Sequence, residues 1–291
     1  MSKIIIFTDL DGSLLHPKTY SFEEALPALK LIKEKEMPLV LCSSKTRAEI
    51  EVYRERLGNN HPFISENGGG IFIPKGYFQS ITLTPALSQR EREKNLNPRP
   101  SGEGGRRPGE GAEYEIITIG TPYEKIRIAF IDLRQRLNAK VKGFGDMSAR
   151  EVAALSGLTE KEAALAKQRD FGEPFIFEGE PDDVFLKAVD KEGLHWTQGR
   201  FFHIMGDNDK GKAVAILKGL YEKEYGKITT IGLGDGFNDL SMLSKVDHPV
   251  LIPKEDGSYD PRVVLPNLKK ARGIGPSGWN EEVIAAIKIS A

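Results

Sequence analysis

Short apolar runs alternate along this chain with longer stretches whose apolar residues return at helical spacing. Ile4-Ile5-Ile6-Phe7 is continuously apolar, which predicts a strand covered on both faces, as in a parallel sheet. Phe22 to Glu36 follows with Phe22, Leu26, Leu29 and Ile32 on one side and Glu/Lys on the other, an amphipathic helix. Pro38 to Cys42 predicts a second buried strand, and Thr46-x-x-Glu49 a capping box opening a helix to about Leu57. Pro62 to Ser65 predicts a third strand, which Glu66-Asn67-Gly68-Gly69-Gly70 turns into Ile71-Phe72-Ile73. Strands and helices alternating in this way imply a parallel sheet with right-handed crossovers.

The alternation stops near Gln79. From Ser88 to Gly111 the chain is Arg, Glu, Gly and Pro with almost no large apolar side chains, so it cannot offset its own ordering entropy. This stretch predicts a disordered insertion, and Leu83 to Glu93 resembles a translated bacterial intergenic repeat. Beyond it, Tyr114 to Ile119 alternates as a strand, and Pro122 to Leu137 predicts a helix with proline in its first turn. Ser148-x-x-Glu151 and Thr159-x-x-Glu162 predict capped short helices. Phe175-Ile176-Phe177 and Arg200 to Ile204 predict strands. The helix Gly211 to Tyr225, a strand to Leu233 and a strand Pro249 to Ile252 then resume the first pattern. The fold class expected is α/β: a Rossmann-like parallel-sheet core (1–82 and 207–291) with an inserted α+β cap, or lid, domain (113–206), and a low-complexity insertion at 83–112.

Composition narrows the functions. The 291 residues carry 41 basic and 42 acidic side chains, a formal net charge of −1, so no global basic field points to nucleic acid. Cys42 is the only cysteine, which excludes an internal disulfide and a thiolate metal site. The N-terminus enters a strand directly, and no apolar stretch approaches the roughly 20 residues that span a bilayer. The expectation is a cytoplasmic protein acting on small molecules, with no membrane partner; the sequence leaves its oligomeric state open.

The candidate chemistry lies at two strand ends. The first apolar run leads into Asp9-Leu10-Asp11-Gly12-Ser13, and Ile228 to Leu233 leads into Gly234-Asp235-Gly236-Phe237-Asn238-Asp239. Both acidic groups fall at the carboxyl edge of a strand, where open α/β sheets hold their chemistry. Acidic clusters on adjacent strands suit Mg2+, a hard ion that takes one or two carboxylates plus water and substrate phosphate. The pair of motifs resembles the first and fourth motifs of the haloacid dehalogenase superfamily of phosphohydrolases. That resemblance implies a phosphoaspartate mechanism, with Asp9 the nucleophile and Asp11 the acid/base. It also implies a Mg2+ site of Asp9, Asp235 and the Asp11 backbone carbonyl, with Asp239 orienting the loop. Ser43 matches the Ser/Thr of the second motif and Lys210 the lysine of the third; Lys212, one helical step away, is its rival.

Further motifs resemble the mannosyl-3-phosphoglycerate phosphatase family. They are Ser43-Ser44-Lys45-Thr46-Arg47-Ala48-Glu49, Ser65-Glu66-Asn67-Gly68-Gly69, Gly143-Phe144-Gly145-Asp146-Met147-Ser148, Arg169 to Phe175, and Gly199-Arg200-Phe201-Phe202-His203. Asp170-Phe171-Gly172 departs from the more polar pattern expected there, which leaves the sugar open. The resemblance implies a phosphorylated sugar-glycerate substrate. Such a substrate asks for a cation at its carboxylate and hydrogen-bonding groups at its ring. Arg169 could fork onto the carboxylate, or serve as a helix C-terminal cation. Glu66 and Asn67 could bind hydroxyls, or only form a turn. Ser44, Lys45 and Asn238 complete the expected substrate contacts, and His203 is expected to be a packed strand residue. A broader sugar-phosphate phosphatase or a phosphohexomutase would use the same core.

Overall fold

The computed structural model describes residues 2–79 and 114–290. The first part gives β1 (Lys3–Thr8), α1 (Leu26–Glu34), β2 (Leu39–Cys42), α2 (Arg47–Leu57), β3 (Phe63–Ser65) and β4 (Gly70–Pro74). The second opens with β5 (Tyr114–Thr118), α3 (Tyr123–Leu137), β6 (Val141–Gly143), α4 (Ala149–Ser156), α5 (Glu160–Ala166) and β7 (Gly172–Phe177). It continues with α6 (Asp183–Lys191), β8 (His195–Gln198), β9 (Phe202–Met205), α7 (Lys210–Tyr225) and β10 (Ile228–Gly234). The last elements are α8 (Leu240–Leu243), β11 (His248–Leu251), β12 (Lys269–Lys270) and α9 (Gly275–Ser290). The stretch 88–111, expected to be a disordered insertion, lies outside the described residues.

One sheet runs β12-β11-β10-β1-β2-β3-β4-β5 and a second β6-β7-β9-β8. β1 lies parallel between β10 and β2, so Thr8 pairs with Leu233 on one side and Leu41 on the other. Successive side chains of a strand point to opposite faces, and both faces of β1 are covered. Ile4 and Ile6 pack with Leu39, Leu41, Trp279 and Val283 on one side. Ile5 and Phe7 pack with Val40, Val214, Leu217 and Tyr221 on the other. This two-sided burial is why the strand reads as an unbroken apolar run, and each such side chain contributes about 1.5–3 kcal/mol.

Three sequence expectations change. The sheet is not wholly parallel: β4 returns antiparallel beside β3, and β5 antiparallel beside β4. The cause is the tight reversal at Glu66, Asn67 and Gly68, all at positive φ (48°, 53° and 90°), which leaves no room for a crossover. Consequently Tyr114–Thr118, grouped with the cap in the sequence, is an edge strand of the core sheet. In α1 the buried side chains are Ala28 and Ile32, while Leu26 is half exposed. The helix is entered through a 3₁₀ turn at Glu23–Ala25, whose tighter winding rotates the apolar face.

The cap sheet is antiparallel throughout. Phe130, Phe175, Phe185 and Ile204 bury one face under α3 and α6, and Phe144, Met147, Val152 and Ala163 form a smaller cluster. The capping boxes at Thr46/Glu49, Ser148/Glu151 and Thr159/Glu162 are all formed. Pro122 is the N-cap of α3 and thus sits one position before its first turn. Among the described residues no helix is long and apolar enough to cross a membrane.

Candidate active site

β1 and β10 end side by side, and the Asp9 amide donates to the Leu233 carbonyl at 2.9 Å. Asp9 and Asp235 therefore leave the same edge of the sheet from neighbouring strands. Gly12 stands against them at φ +75°, and a Cβ there would lie 2.4 Å from Asp235 Oδ2. Only glycine fits this turn without strain. Gly12→Ala should lower unfolding stability by about 1–2 kcal/mol, the cost of a left-handed non-glycine residue, as measured by denaturant titration.

Lys210 is the hub of the acidic group. Its Nζ donates to Asp9 Oδ1 and to Asp239 Oδ1, each at 2.6 Å, with all three side chains buried. Asp239 turns its other oxygen to the backbone N–H groups of Asp235 and Gly236, at 3.0 and 3.1 Å, and so fixes the loop carrying Asp235. Burial disfavours charge on Lys210, but Asp239 and Asp9 outweigh it and raise the pKa. Burial pushes Asp9 up to about 7 against the pull of Lys210, with Asp239 and Asp11 adding to the rise. Desolvation, then Asp239 and Asp9, raise Asp235 well above its ordinary value. Lys212 is elsewhere: it is half exposed and pairs with Asp207.

Asp11 points away from this group. Its Oδ2 accepts from Lys45 Nζ at 2.9 Å, and Glu49 Oε1 lies 3.7 Å from the same nitrogen. Burial opposes charge on Lys45, but Asp11 and Glu49 prevail and raise its pKa. Ser43 is fully buried at the end of β2, and its Oγ accepts from the Lys45 amide at 3.3 Å.

Glu66 and Arg169 meet each other across the core–cap boundary. Glu66 accepts from the amides of Asp170 and Phe171 at 2.8 and 3.0 Å, and Arg169 Nε lies 3.2 Å from its Oε2. Burial pushes Glu66 up to about 7, although Arg169 and these two amides oppose the rise. Arg169 also donates to the carbonyls of Gly172 at 3.3 Å and Ser44 at 2.9 Å. Its guanidinium thus has protein partners on both sides of the boundary, and with Glu66 it straps the cap to the core. Arg169→Ala would leave Glu66 buried without its cation and should destabilise the fold by about 3–5 kcal/mol, read by thermal and denaturant unfolding.

Asn67 and Asn238 do approach one another, with Asn238 Nδ2 3.5 Å from Asn67 Oδ1. Both line a cleft of about 410 Å³ between core and cap, together with Lys210, Thr197, Met205 and Phe237. His203 is buried on β9, and burial lowers its pKa to about 3, so it stays neutral. Some contributors had no sequence signal. Asn208 donates to the carbonyls of both Glu66 and Asn67 at 3.3 Å. Tyr20, at φ 53°, donates to the Ser156 carbonyl at 3.2 Å and accepts from Arg200 at 2.9 Å.

The donor set suits a hard cation. Oxygens of Asp9, Asp235 and Asp239 lie within 4.8 Å of one another, and among the described residues Lys210 is the cation paired with this group, through Asp9 and Asp239. Oxygen-only ligands at the end of a sheet are the choice of Mg2+-like ions rather than zinc. Asp239 has both oxygens committed, so Asp9 and Asp235 are the carboxylates left to face an ion.

Comparison with known proteins agrees with this geometry. Residues 6–90 match the family model described as haloacid dehalogenase-like hydrolase. A glucosyl-3-phosphoglycerate/mannosyl-3-phosphoglycerate phosphatase of Methanococcoides burtonii is 46% identical over 98% of this chain and 97% of its own. The protein of the same description from Persephonella marina is 42% identical over 96% of each chain. A solved structure, Thermoplasma acidophilum 0175, shares the fold with a TM-score of 0.65 at 15% identity, covering 98% of both chains. The full-length likeness and the paired acidic strand ends place this chain in the haloacid dehalogenase-like hydrolases, within the glucosyl-3-phosphoglycerate/mannosyl-3-phosphoglycerate phosphatase family.

Proposed function

We propose that this protein hydrolyses the phosphate ester of a glycosyl-3-phosphoglycerate, mannosyl or glucosyl, to the glycosylglycerate and inorganic phosphate. The observation that carries this reading is identity above 40% to two phosphatases of that description along nearly the whole of each chain. The site supports it chemically, because phosphoryl transfer needs a placed nucleophile and positive charge around the phosphoryl oxygens. Asp9 attacks phosphorus and forms an aspartyl phosphate as the bond to the glycerate oxygen breaks. Asp11 delivers a proton to that oxygen, then takes one from the water that hydrolyses the intermediate. Lys210 and Ser43 screen the phosphoryl oxygens, and Asn67 and Asn238 face the cleft where the glycosyl group enters. Asp9, Asp235 and the Asp11 carbonyl would hold Mg2+, which supplies further positive charge opposite the phosphate.

Phosphate release from mannosyl- and glucosyl-3-phosphoglycerate, hexose phosphates and phosphoglycerates tests the reading. Activity should be highest on the glycosylated glycerates, vanish with a chelator and return with magnesium. Activation by zinc alone would argue against an oxygen-ligand site. Isomerisation of a hexose phosphate without phosphate release would mark a mutase instead.

A further inference from the structure

The glycerate leaving group carries a carboxylate, and the structure leaves open which cation meets it. Arg169 is tied to Glu66, Gly172 and Ser44. Lys210 is held between Asp9 and Asp239. Lys212 pairs with Asp207 away from the cluster. Lys45 is different. It is buried, its side chain only 6% exposed, while the Asp11 carboxylate it holds at 2.9 Å is 42% exposed, unlike the buried partners of Arg169 and Lys210. The rings of Tyr20 and Tyr53 flank the ammonium at 5.2 and 5.7 Å, apolar walls that strengthen its field by excluding water. Tyr20 is in turn anchored to the cap through Ser156 and Arg200, so the cap completes this box.

We infer that Lys45 is the specificity residue for the glycerate carboxylate, and that it exchanges Asp11 for that carboxylate when substrate enters. This rests on the phosphatase reading above and deepens it. In 3-phosphoglycerate the ester oxygen and the carboxyl carbon are three covalent bonds apart, hence about 3–4 Å. A group that protonates the ester oxygen and a cation that binds the carboxylate must therefore be neighbours, as Asp11 and Lys45 are. Glu49 stays in place during the exchange, since the Thr46 amide and hydroxyl hold its other oxygen at 2.8 and 3.0 Å. The exchange also frees Asp11 to face the leaving oxygen. A substrate without the carboxylate leaves Asp11 bound to Lys45, so it loses turnover as well as affinity.

The test compares the glycosyl-3-phosphoglycerate with its carboxamide, which keeps the shape of the group but replaces the anionic oxygen with a neutral NH2. On the unaltered protein the amide should have a kcat/KM about tenfold to a hundredfold lower, the worth of a charge-assisted hydrogen bond, with kcat itself reduced. In Lys45→Met the acid should fall to the level of the amide, so that the ratio approaches one. Lys45→Gln supplies the same comparison if the methionine variant does not fold. Equal use of acid and amide by the unaltered protein would overturn the inference. So would a variant that slows both but keeps the full preference for the acid. Hydrolysis of neither compound by the unaltered protein would overturn the phosphatase reading, and this inference with it.

Discussion

Asp9→Asn should reduce phosphate release by roughly 10⁴-fold or more, the scale seen when a covalent nucleophile is removed, while the fold is retained or strengthened. The amide oxygen can still accept from Lys210 at the present 2.6 Å, so the local geometry persists. It cannot attack phosphorus. The stability gain follows from the sign of the Asp9 shift: its pKa is raised to about 7, chiefly by burial. An acid whose pKa is higher in the folded state loses stability as pH rises from its unfolded value to its folded one. Above that window the native protein carries a buried carboxylate beside Asp235 and Asp239 at a cost, and asparagine removes it. Denaturant unfolding at pH 8 should therefore place the variant at or above the parent. Turnover within tenfold of the parent would remove Asp9 from the nucleophile role.

Lys210→Met should do the opposite to stability and be nearly as damaging to catalysis. It deletes the cation that Asp9 and Asp239 share. Breaking a buried ion pair on one side costs about 3–5 kcal/mol, because the remaining charge is left uncompensated. Turnover should fall by about 10²–10³-fold, as when a donor to developing charge is removed. The deficit in stability should shrink as the medium is acidified. With the cation gone, the Asp9 pKa rises further above its unfolded value, so the destabilisation is complete above the folded pKa and fades on protonation. Unfolding curves at pH 8 and pH 5 would show the gap narrowing. A gap that stays constant, or a variant as stable as the parent, would mean that Lys210 does not balance the acidic group.

The centre of the site was legible because each part is local. An apolar strand ending in Asp-x-Asp-Gly or Gly-Asp-Gly carries its own geometry, since the strand end, the turn glycine and the carboxylate lie within a few residues. Even the choice between Lys210 and Lys212 has a local cause. Residues two apart on an α-helix are about 200° around its axis, so only one of them can face the sheet edge. The strap of Glu66 to Arg169 was not legible. Each residue has an ordinary surface role in its own neighbourhood, and their pairing depends on how the cap sits on the core. Tyr20 was hidden for the same reason.

Fold details followed the same division. β6 and β8 are brief strands whose pattern is too short to stand out. α6 carries a signal of its own, with Asp182 capping it and Phe185, Leu186 and Val189 at helical spacing. That β5 is a strand was visible in its alternation. That it completes the core sheet was not, because sheet membership is fixed by the reversal at Glu66 to Gly68 and not by anything in β5 itself.

The central claim is that hydrolysis passes through a phosphoryl group on Asp9. Rapid acid quench of the enzyme turning over mannosyl- or glucosyl-3-phosphoglycerate with magnesium, followed by peptide mass spectrometry, tests it directly. The account predicts one added phosphoryl group on the peptide containing Asp9, present during turnover, lost when substrate is exhausted, and absent from Asp9→Asn. Steady release of phosphate with no phosphorylated carboxylate at any quench time, or with the phosphoryl group on a different residue, would contradict it.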